Sequence, residues 1–413
     1  MSHEWVNWSG SVICQPHTLF APQDEAEIQR LLRQLGNSAT TVRVVGSGHS
    51  FVPLCASDEI QLSLDGLQGL IATSVLTDSE GGLATLWAGT KLHQIGEPLW
   101  HSGLSLANMG DIDRQALAGA ISTGTHGTGR SLGSIATQVV GLRLVLASGE
   151  VLECSSAQSP ELFKAAQVSL GLLGVITQVT LKCLPAYHLH ERTWVATFEE
   201  CMSQLEQQIA SNRHFEFFWS PSEDACAMKA LNPVDLSPAE AQSLPIVRSI
   251  SQEAKGRLVR YVKDERIDRN YRIFPSERNL KFNEMEFAVP YANGPDCLRE
   301  IRQLMQSKHR NVLWPIEYRT LAADDIWLSP AYGRETVTIS IHQAADQEHR
   351  NFFADAEAIF RNHQGRPHWG KMHSFQANEL RALYPQWDHF AVIRQQLDPN
   401  GRFLNPYLRS IFA

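Results

Sequence analysis

The sequence predicts an α+β protein with two domains followed by a C-terminal segment. Its 413 residues are enough for two to three domains at about 150 residues each. Residues 1–185 alternate between amphipathic helices and short, mostly apolar strands. After residue 185 the chain holds more aromatic and charged residues and strands of alternating polarity, which predicts a mixed or antiparallel sheet covered by helices on one face. The predicted boundaries are residues 1–185, 186–365 and 366–413.

The composition is that of an ordinary globular protein. Apolar residues make up 43% and charged residues 19% of the chain, which argues against disorder and against a fibrous repeat. A net charge of −8 without basic blocks argues against nucleic acid as a partner. A spanning helix needs about 18 consecutive apolar residues, and no window approaches that length. We therefore expect no membrane-spanning segment, while association with a membrane surface stays open.

The cysteine pattern and the N-terminus predict a cytoplasmic location. The seven cysteines are scattered and form no C-x-x-C pair, which is typical of reduced thiols rather than of a disulfide or zinc framework. The first residues lack the basic-then-apolar pattern of a secretory signal. His363, His368 and His373 are separated by glycines and a proline that prevent one helix from presenting them together. We therefore expect no metal site.

The first predicted helix covers residues 21–35 and leads into a short strand. Pro22 suits its first turn and Gly36 its end. Residues 41–45 are β-branched and predict a strand that runs straight into a glycine turn. The apolar residues of the helix follow the i, i+3, i+4, i+7 spacing of one helix face, and they are Ile28, Leu31, Leu32 and Leu35.

The remaining elements of the first domain include a hairpin. Residues 139–147 are strongly apolar, as a buried strand would be. Ser148-Gly149 makes a turn into residues 151–154, which predicts a hairpin. Residues 160–168 predict a helix, and residues 174–184 predict another strand.

The second domain shows period-two strands and period-3.6 helices. Residues 283–289 and 336–342 alternate in polarity and predict strands. Residues 297–307 and 354–363 predict helices. The Pro/Ser-rich stretch 233–245 predicts a surface segment or loop.

The first motif that carries chemistry follows the strand at 41–45. Glycines in such a turn let the backbone approach a phosphate, and successive N–H groups form an anion-binding concavity. A dinucleotide fingerprint of the NAD type would need a third glycine where Phe51 stands. The motif by itself also fits a generic turn, and its histidine fits a cap. Its candidate ligand-binding residues are Gly46, Ser47, Gly48, His49 and Ser50.

The second motif covers residues 117–129 and is rich in glycine and hydroxyl side chains. This composition suits a backbone wrapped closely around a diphosphate, and no Gly-Lys-Ser/Thr of a Walker loop follows. The alternative is a flexible surface loop, which the flanking apolar residues disfavour. The candidate residues are Gly119, Ser122, Thr123, Gly124, Thr125, His126, Gly127 and Gly129.

Together the two motifs resemble the FAD-binding domain of the vanillyl-alcohol oxidase superfamily, within its aldonolactone and alditol oxidase branch. The resemblance covers essentially the whole chain and implies a two-domain FAD-linked oxidase with a substrate-binding cap domain. It implies that His49 carries FAD covalently through the flavin 8α-methyl group, and that residues 119–129 form the pyrophosphate loop. It also implies that the segment 366–413, with its D-P-N-G-R-F-L-N-P sequence at 398–406, returns to the FAD domain.

Two polar clusters fit the same branch. Strand alternation puts Glu317 and Arg319 on one face, where a carboxylate and a guanidinium can hold each other charged. A structural ion pair is the simple alternative, but the resemblance implies the active-site pair. The resemblance also puts Lys371, in the R-P-H-W-G-K cluster, in the substrate pocket. Sugar stacking suits the nearby tryptophans Trp314, Trp327 and Trp369.

His342 departs from the alditol oxidase pattern, in which a threonine contacts the substrate. If His342 faces the pocket, it could bind a hydroxyl or act as a base near neutral pH. If it faces outward, it is a plain strand histidine. The departure favours a sugar lactone over a simple alditol.

The resemblance implies oxidation of a sugar-derived alcohol by hydride transfer to flavin N5. D-arabinono-1,4-lactone or a related polyol is the expected substrate, with O₂ as the electron acceptor and hydrogen peroxide as the product. The alternatives are an alditol oxidase acting at C1 of xylitol- or sorbitol-like polyols, and a lactone dehydrogenase with a different acceptor. A carbohydrate-binding flavoprotein without activity is the rival from another class.

Overall fold

The computed structural model describes residues 4–77, 80–249, 256–276 and 279–412. The first part of the chain, residues 4–185, contains short 3-10 helices at Leu92–Gln94 and Ile135–Gln138. Its strands and helices are β1 (Trp5–Val6), β2 (Ile13–Cys14), β3 (Thr18–Phe20), α1 (Glu25–Leu35), β4 (Val42–Val45), β5 (Ile60–Ser63), β6 (Leu70–Thr77), β7 (Gly81–Trp87), α2 (Gly96–His101), β8 (Leu104–Ser105), α3 (Leu117–Ser122), β9 (Val139–Val145), β10 (Val151–Ser155), α4 (Pro160–Gln167) and β11 (Val175–Pro185).

The second part runs from residue 186 to the C-terminus, with 3-10 helices at Leu258–Arg260 and Tyr291–Asn293. Its strands and helices are β12 (His188–Thr197), α5 (Phe198–Ser211), β13 (His214–Ser220), β14 (Ala225–Val234), α6 (Pro238–Gln242), β15 (Ile246–Arg248), β16 (Glu265–Arg269), α7 (Asn270–Ile273), β17 (Phe282–Pro290), α8 (Gly294–Ser307), β18 (Ile316–Leu321), β19 (Thr336–Ala344), α9 (Arg350–Asn362), β20 (Arg366–Pro367), α10 (Ala377–Leu383), α11 (Trp387–Leu397) and α12 (Pro406–Phe412).

The sheets separate along the chain. Residues before 186 form a two-stranded sheet, a three-stranded parallel sheet of order β3-β5-β4, and a six-stranded antiparallel sheet. Residues after 186 form one nine-stranded sheet of order β15-β16-β12-β14-β13-β18-β19-β17-β20, and all its neighbouring strands are antiparallel. The α+β class is confirmed, and of the two sheet types predicted for the second part the antiparallel one is found.

Local signals place most elements within a few residues of their predicted positions. The hairpin of β9 and β10 is confirmed, with Val145 paired to Val151. The first helix begins at Glu25 rather than at residue 21, so the prediction that Pro22 lies in its first turn is wrong. Asp24 is the cap, because its side chain accepts the Glu27 N–H. The stretch 233–245 is largely exposed but contains α6, which Ser237 caps.

One face of the nine-stranded sheet is covered by helices. Trp219 of β13 packs edge-on against Phe198 of α5, with ring centroids 6.3 Å apart. Phe287 of β17 stacks on Phe360 of α9 at 4.7 Å. Because successive side chains of a strand point to opposite faces, the alternate residues of these strands face the other way. That second face carries the polar side chains described below.

The C-terminal segment packs back on the first part of the chain. The Arg402 guanidinium donates to the carbonyl oxygen of Gly36 at 2.7 Å, and the Arg402 carbonyl accepts the Val42 N–H at 2.8 Å. The Asn405 amide donates to the Pro53 carbonyl at 2.7 Å. Strand β20, at the start of this segment, still belongs to the nine-stranded sheet.

Asp398 organises this return, and removing its carboxylate should destabilise the protein. Its two oxygens accept the N–H groups of Arg402 at 2.7 Å and Phe403 at 2.9 Å, and the residue is fully buried. In Asp398→Ala both N–H groups lose their acceptor, so we expect about 2–4 kcal/mol less unfolding free energy, measured by urea denaturation. The control is Asp388→Ala, an exposed partner of Arg381, which should cost less than about 1 kcal/mol. Equal losses in the two variants would contradict this role.

Candidate functional site

A cavity of about 820 Å³ lies between the glycine loops of the first part and the polar face of the nine-stranded sheet. This volume is near the upper end of the range for small-molecule and cofactor sites. Both sequence motifs and all four predicted catalytic residues contribute to its lining. The chain therefore brings these distant segments to one place.

The first motif lines the cavity from the end of β4. Gly48 has a φ of +67°, and a Cβ there would lie 3.1 Å from the Trp5 ring, so the turn requires glycine. Among the described residues, no acceptor bonds the backbone N–H groups of residues 47–50, although the Gly48 carbonyl accepts the Trp8 N–H. A run of free N–H groups at a cavity is suited to bind an anion.

His49 stands in this turn with a free, neutral ring. Its imidazole stacks on Trp8, with ring centroids 5.6 Å apart. Within the part of the chain that the structure describes, neither ring nitrogen makes a hydrogen bond. Burial, followed by the positive charges of Lys371, Lys91 and Arg114, lowers the pKa of His49 to about 4. The ring is therefore unprotonated at neutral pH, with a nitrogen lone pair available for bonding.

The second motif reaches the cavity through only part of its length. Gly119, Ser122, Thr123, Thr125 and His126 line it. A Cβ placed on Gly119 would have nothing within 4 Å, so its backbone faces open space.

The other three glycines of the second motif do not line the cavity, unlike the sequence prediction. A Cβ on Gly127 would lie 2.4 Å from the Met109 carbonyl oxygen. Gly129 donates its N–H to the Thr320 carbonyl at 2.9 Å and so joins the loop to β18. Gly124 takes a positive φ of +77° in the turn. Backbone packing at Gly127 and Gly129 and the positive φ at Gly124 account for glycine at these positions.

His126 links the loop to the nine-stranded sheet. Its Nε2 lies 2.7 Å from Oε1 of Glu286, and its Nδ1 lies 2.8 Å from the Gly127 carbonyl oxygen. Ser340 donates to the other Glu286 oxygen at 2.7 Å. Burial alone would raise the pKa of Glu286, but His126 and further cations hold it well below its ordinary value. His126 therefore meets a buried, ionised carboxylate across the interface.

Glu317 and Arg319 form a buried ion pair on the cavity face of β18, as the strand alternation predicts. Arg319 also donates through Nε to Glu216 at 2.9 Å. Burial raises the pKa of Glu317 to about 7, because the negative charges of Glu216 and Asp111 add to burial and outweigh the attraction of Arg319. Glu317 can therefore exchange a proton near neutral pH.

Lys371 and His342 also face the cavity, which resolves the orientation of His342. Lys371 pairs with Glu284 and lies over the Phe51 ring at 5.0 Å. The Nδ1 of His342 lies 3.0 Å from the Pro315 carbonyl oxygen. Because a carbonyl only accepts, Nδ1 carries the proton, and Nε2 is left 3.6 Å from Glu284.

Of the three tryptophans expected at the pocket, only Trp314 lines it. Trp369 is fully buried and stacks on Tyr384, with ring centroids 5.0 Å apart, and its indole N–H donates to the Leu328 carbonyl. Trp327 is buried against His389. The sequence prediction for Trp327 and Trp369 is wrong, because burial in the core satisfies both rings.

Sequence reasoning missed five charged residues at the site. Asp111, Glu284 and Glu286 line the cavity, whereas Glu216 and Lys229 do not line it but lie on the same sheet face, in register with Arg319. Their signal in the strands was an acidic or basic residue between apolar neighbours, as in N-E-M-E-F-A-V. The missed residues are Asp111, Glu216, Lys229, Glu284 and Glu286.

Three of the carboxylates lie close enough to hold a metal ion. Ligand atoms of Asp111, Glu216 and Glu317 lie within 4.8 Å of one another. Lys229 and Arg319 already stand among them and supply the positive charge. These carboxylates are therefore engaged as partners of fixed cations.

The cavity fits FAD. Its wall contains the unbonded N–H groups of residues 47–50, which suit a diphosphate, the unprotonated imidazole of His49, and the backbone of Gly119, which faces open space. Within the described residues, no helix has the length and apolarity to cross a membrane. Fold and site together define the chain as an FAD-dependent oxidoreductase of the vanillyl-alcohol oxidase superfamily.

Comparison with known proteins gives the branch. The family described as D-arabinono-1,4-lactone oxidase matches residues 179–259 and 242–411, and an FAD binding domain matches residues 16–155. The chain belongs to the D-arabinono-1,4-lactone oxidase family.

Two relatives match along their whole length. The L-gulono-1,4-lactone dehydrogenase of Mycobacterium tuberculosis is 36% identical over 100% of both chains. The L-gulonolactone oxidase of Bos taurus is 30% identical over 99% of this chain and 98% of its own.

Solved structures agree on the fold. Cholesterol oxidase from Brevibacterium sterolicum superposes with a TM-score of 0.84 at 15% identity, over 100% of this chain and 97% of its own. A chitooligosaccharide oxidase gives a TM-score of 0.74 at 13% identity, over 97% of this chain and 93% of its own. At such identities the likeness concerns the fold alone.

Proposed function

We propose that the protein oxidises a hydroxyl group of a sugar aldonolactone, such as D-arabinono-1,4-lactone or L-gulono-1,4-lactone. The observation that carries this proposal is one cavity that joins the FAD-type glycine turn to Glu317, Arg319, His342 and Lys371. A polyhydroxylated substrate suits a face rich in charged hydrogen-bonding groups. The two full-length relatives, a gulonolactone dehydrogenase and a gulonolactone oxidase, support a lactone over an open-chain alditol.

The chain's own residues hold the cofactor and prepare the alcohol. The N–H groups of residues 47–50 and the backbone at Gly119 would bind and enclose FAD, with Ser122, Thr123 and Thr125 adding hydroxyl groups. When bound, FAD supplies the two-electron acceptor chemistry that amino-acid side chains lack. Burial between the loops and the sheet excludes water and strengthens the charges inside.

The polar side chains in the cavity have different roles towards the substrate. Arg319 and Lys371 stabilise the oxygen as it loses its proton, because two fixed cations favour developing negative charge. Glu317 accepts that proton, since its pKa of about 7 suits a general base. His342 binds a further hydroxyl through Nε2, the nitrogen that faces Glu284 rather than Pro315.

Three finer features belong to the same proposal. His49 carries FAD covalently through the flavin 8α position, which its unpaired, neutral ring supports. The division into residues 1–185, 186–365 and 366–413 is supported by the separation of the sheets and by the contacts of Arg402 and Asn405. A cytoplasmic location is supported by the seven cysteines, all of them free thiols in the structure.

The function is tested by reducing the bound flavin without oxygen. We expect loss of flavin absorbance on anaerobic addition of an aldonolactone, and a smaller response to xylitol or sorbitol. Arg319→Ala should lower kcat/KM by about 10³-fold with flavin content retained, because the alkoxide loses its main cation. Arg266→Ala, which also borders the cavity but pairs with Glu191, is the matched control. Near-normal turnover by Arg319→Ala would remove this residue from the mechanism.

The electron acceptor is decided in a separate assay with oxygen present. We propose O₂, so that oxygen uptake and hydrogen peroxide should match substrate consumption. Dye or cytochrome reduction without oxygen uptake would identify a dehydrogenase instead.

Covalent attachment is tested at His49. His49→Ala should leave the flavin extractable by acid, whereas the parent protein should keep it on the peptide that contains His49, identified by mass spectrometry. His93→Ala, a histidine that contacts the Asp113 carbonyl, is the control. Flavin that stays with the His49→Ala protein after acid precipitation would refute this attachment.

The general-base role predicts a pH dependence. A raised carboxyl pKa means that Glu317 keeps its proton up to about pH 7, so kcat/KM should fall as the pH drops below that value. Glu317→Gln should lose this acid limb and about 10²-fold or more in kcat/KM. Glu335→Gln, a half-exposed carboxylate near Arg130, should keep the parent profile. An unchanged acid limb in Glu317→Gln would assign the titration to another group.

A further inference from the structure

A row of five buried charged side chains runs across the cavity face of the nine-stranded sheet. Arg319 contacts Glu317 on its own strand and donates through Nε to Glu216 at 2.9 Å. The Nζ of Lys229 lies 2.9 Å from the other Glu216 oxygen and donates a hydrogen bond to Asp111 at 3.0 Å. All five side chains are at most 10% exposed. Glu216 makes the shorter of two links between the catalytic pair and the other charges, because Arg319 also lies 3.8 Å from Asp111.

The strand register fixes this arrangement. Glu216 on β13 lies opposite Arg319 on β18 and opposite Lys229 on β14. Directly opposed residues have their side chains within contact distance. Glu216 therefore lies between two cations, with one oxygen 2.9 Å from each.

The charges of these five side chains do not cancel. They comprise three carboxylates and two cations, and burial makes an uncompensated charge expensive. Glu216 and Asp111 each contact Lys229, and Glu216 also contacts Arg319. Among these five side chains, Glu317 contacts Arg319 alone, so Glu317 is the carboxylate that takes up a proton.

We propose that Glu216 is a positioning residue for the oxidation. It orients Arg319 towards the substrate oxygen. Together with Lys229 and Asp111, it also supplies the charges that surround Glu317 while Glu317 gains and loses its proton. This inference rests on the proposed function, since it concerns how the same alcohol is deprotonated. Asp111 comes from the first part of the chain, so its contact with Lys229 also ties this charge balance to the closed interface.

The charged groups that face Glu317 shift its pKa in opposite directions. Glu216 and Asp111 raise its pKa, while Arg319 and His342 lower it. Removing the charge of Glu216 also weakens the hold of Glu216 on Arg319, so that the positive charge of Arg319 acts more strongly on Glu317. Both changes favour ionised Glu317. The charged groups around it come from five strands and one loop, and they are Arg319, Glu216, Lys229, His342, Glu286 and Asp111.

The test compares Glu216→Gln with Glu191→Gln. We expect Glu216→Gln to move the acid limb of kcat/KM to lower pH by about one unit and to lower kcat about 10- to 100-fold with a smaller change in KM, because Arg319 is misaligned. Glu191 is a fully buried carboxylate that pairs with Arg266 on neighbouring strands of this sheet. Glu191→Gln should lower the stability of the protein but leave the acid limb of kcat/KM at its original pH.

Two further variants keep the inference falsifiable if Glu216→Gln does not fold. Glu216→Asp keeps the charge, so it should keep the limb near its original pH while losing kcat. Asp111→Asn removes a charge from the other part of the chain and should move the limb in the same direction as Glu216→Gln. An unmoved limb in Asp111→Asn and Glu216→Gln, or an equal shift in Glu191→Gln, overturns the inference.

A measurement without substrate separates this inference from the proposed function. Difference infrared spectra of the parent protein against Glu317→Gln report the protonated carboxyl of Glu317 as the pH changes. Its midpoint should fall in Glu216→Gln, whether or not any lactone is turned over. A parent protein that oxidises no lactone would overturn the function, while an unchanged midpoint would overturn the role of Glu216.

Discussion

Burying charged side chains on one face of a sheet requires each charge to have a partner, and this constraint organises the molecule. The nine-stranded sheet packs aromatic rings under helices on one face and points carboxylates and cations into a cavity on the other. Removing one partner would leave a bare buried charge, which is far more costly than the loss of a surface ion pair. The register of β13, β14 and β18 therefore specifies the site as much as the fold.

The same constraint joins the two parts of the chain. Asp111 meets Lys229, and His126 meets Glu286, so each part presents a charge or a ring nitrogen that the other part completes. Gly129 adds a backbone link to β18. A cavity closed by polar contacts of this kind can enclose a cofactor and still keep unpaired N–H groups at the glycine turn.

Within the cavity, function follows from unequal pairing. Lys371 has a carboxylate of its own in Glu284, and Arg319 is shared between Glu317 and Glu216. Glu317 is left as the carboxylate whose protonation is finely balanced, and His49 as the imidazole without a partner. The proposal assigns chemistry to these two groups, because perturbed pKa values are expected to collect at functional sites.

The sequence by itself determined the α+β class, most helices and strands, both glycine motifs and the pairing of Glu317 with Arg319, because period, caps and strand alternation are local properties. It could not place Trp327 and Trp369 in the core, separate the lining glycines from Gly124, Gly127 and Gly129, or orient His342. It also gave no partner for Arg319 beyond its own strand, since Glu216, Lys229 and Asp111 lie far away in sequence. Only tertiary structure decides such contacts, because they depend on which strands become neighbours and in what register.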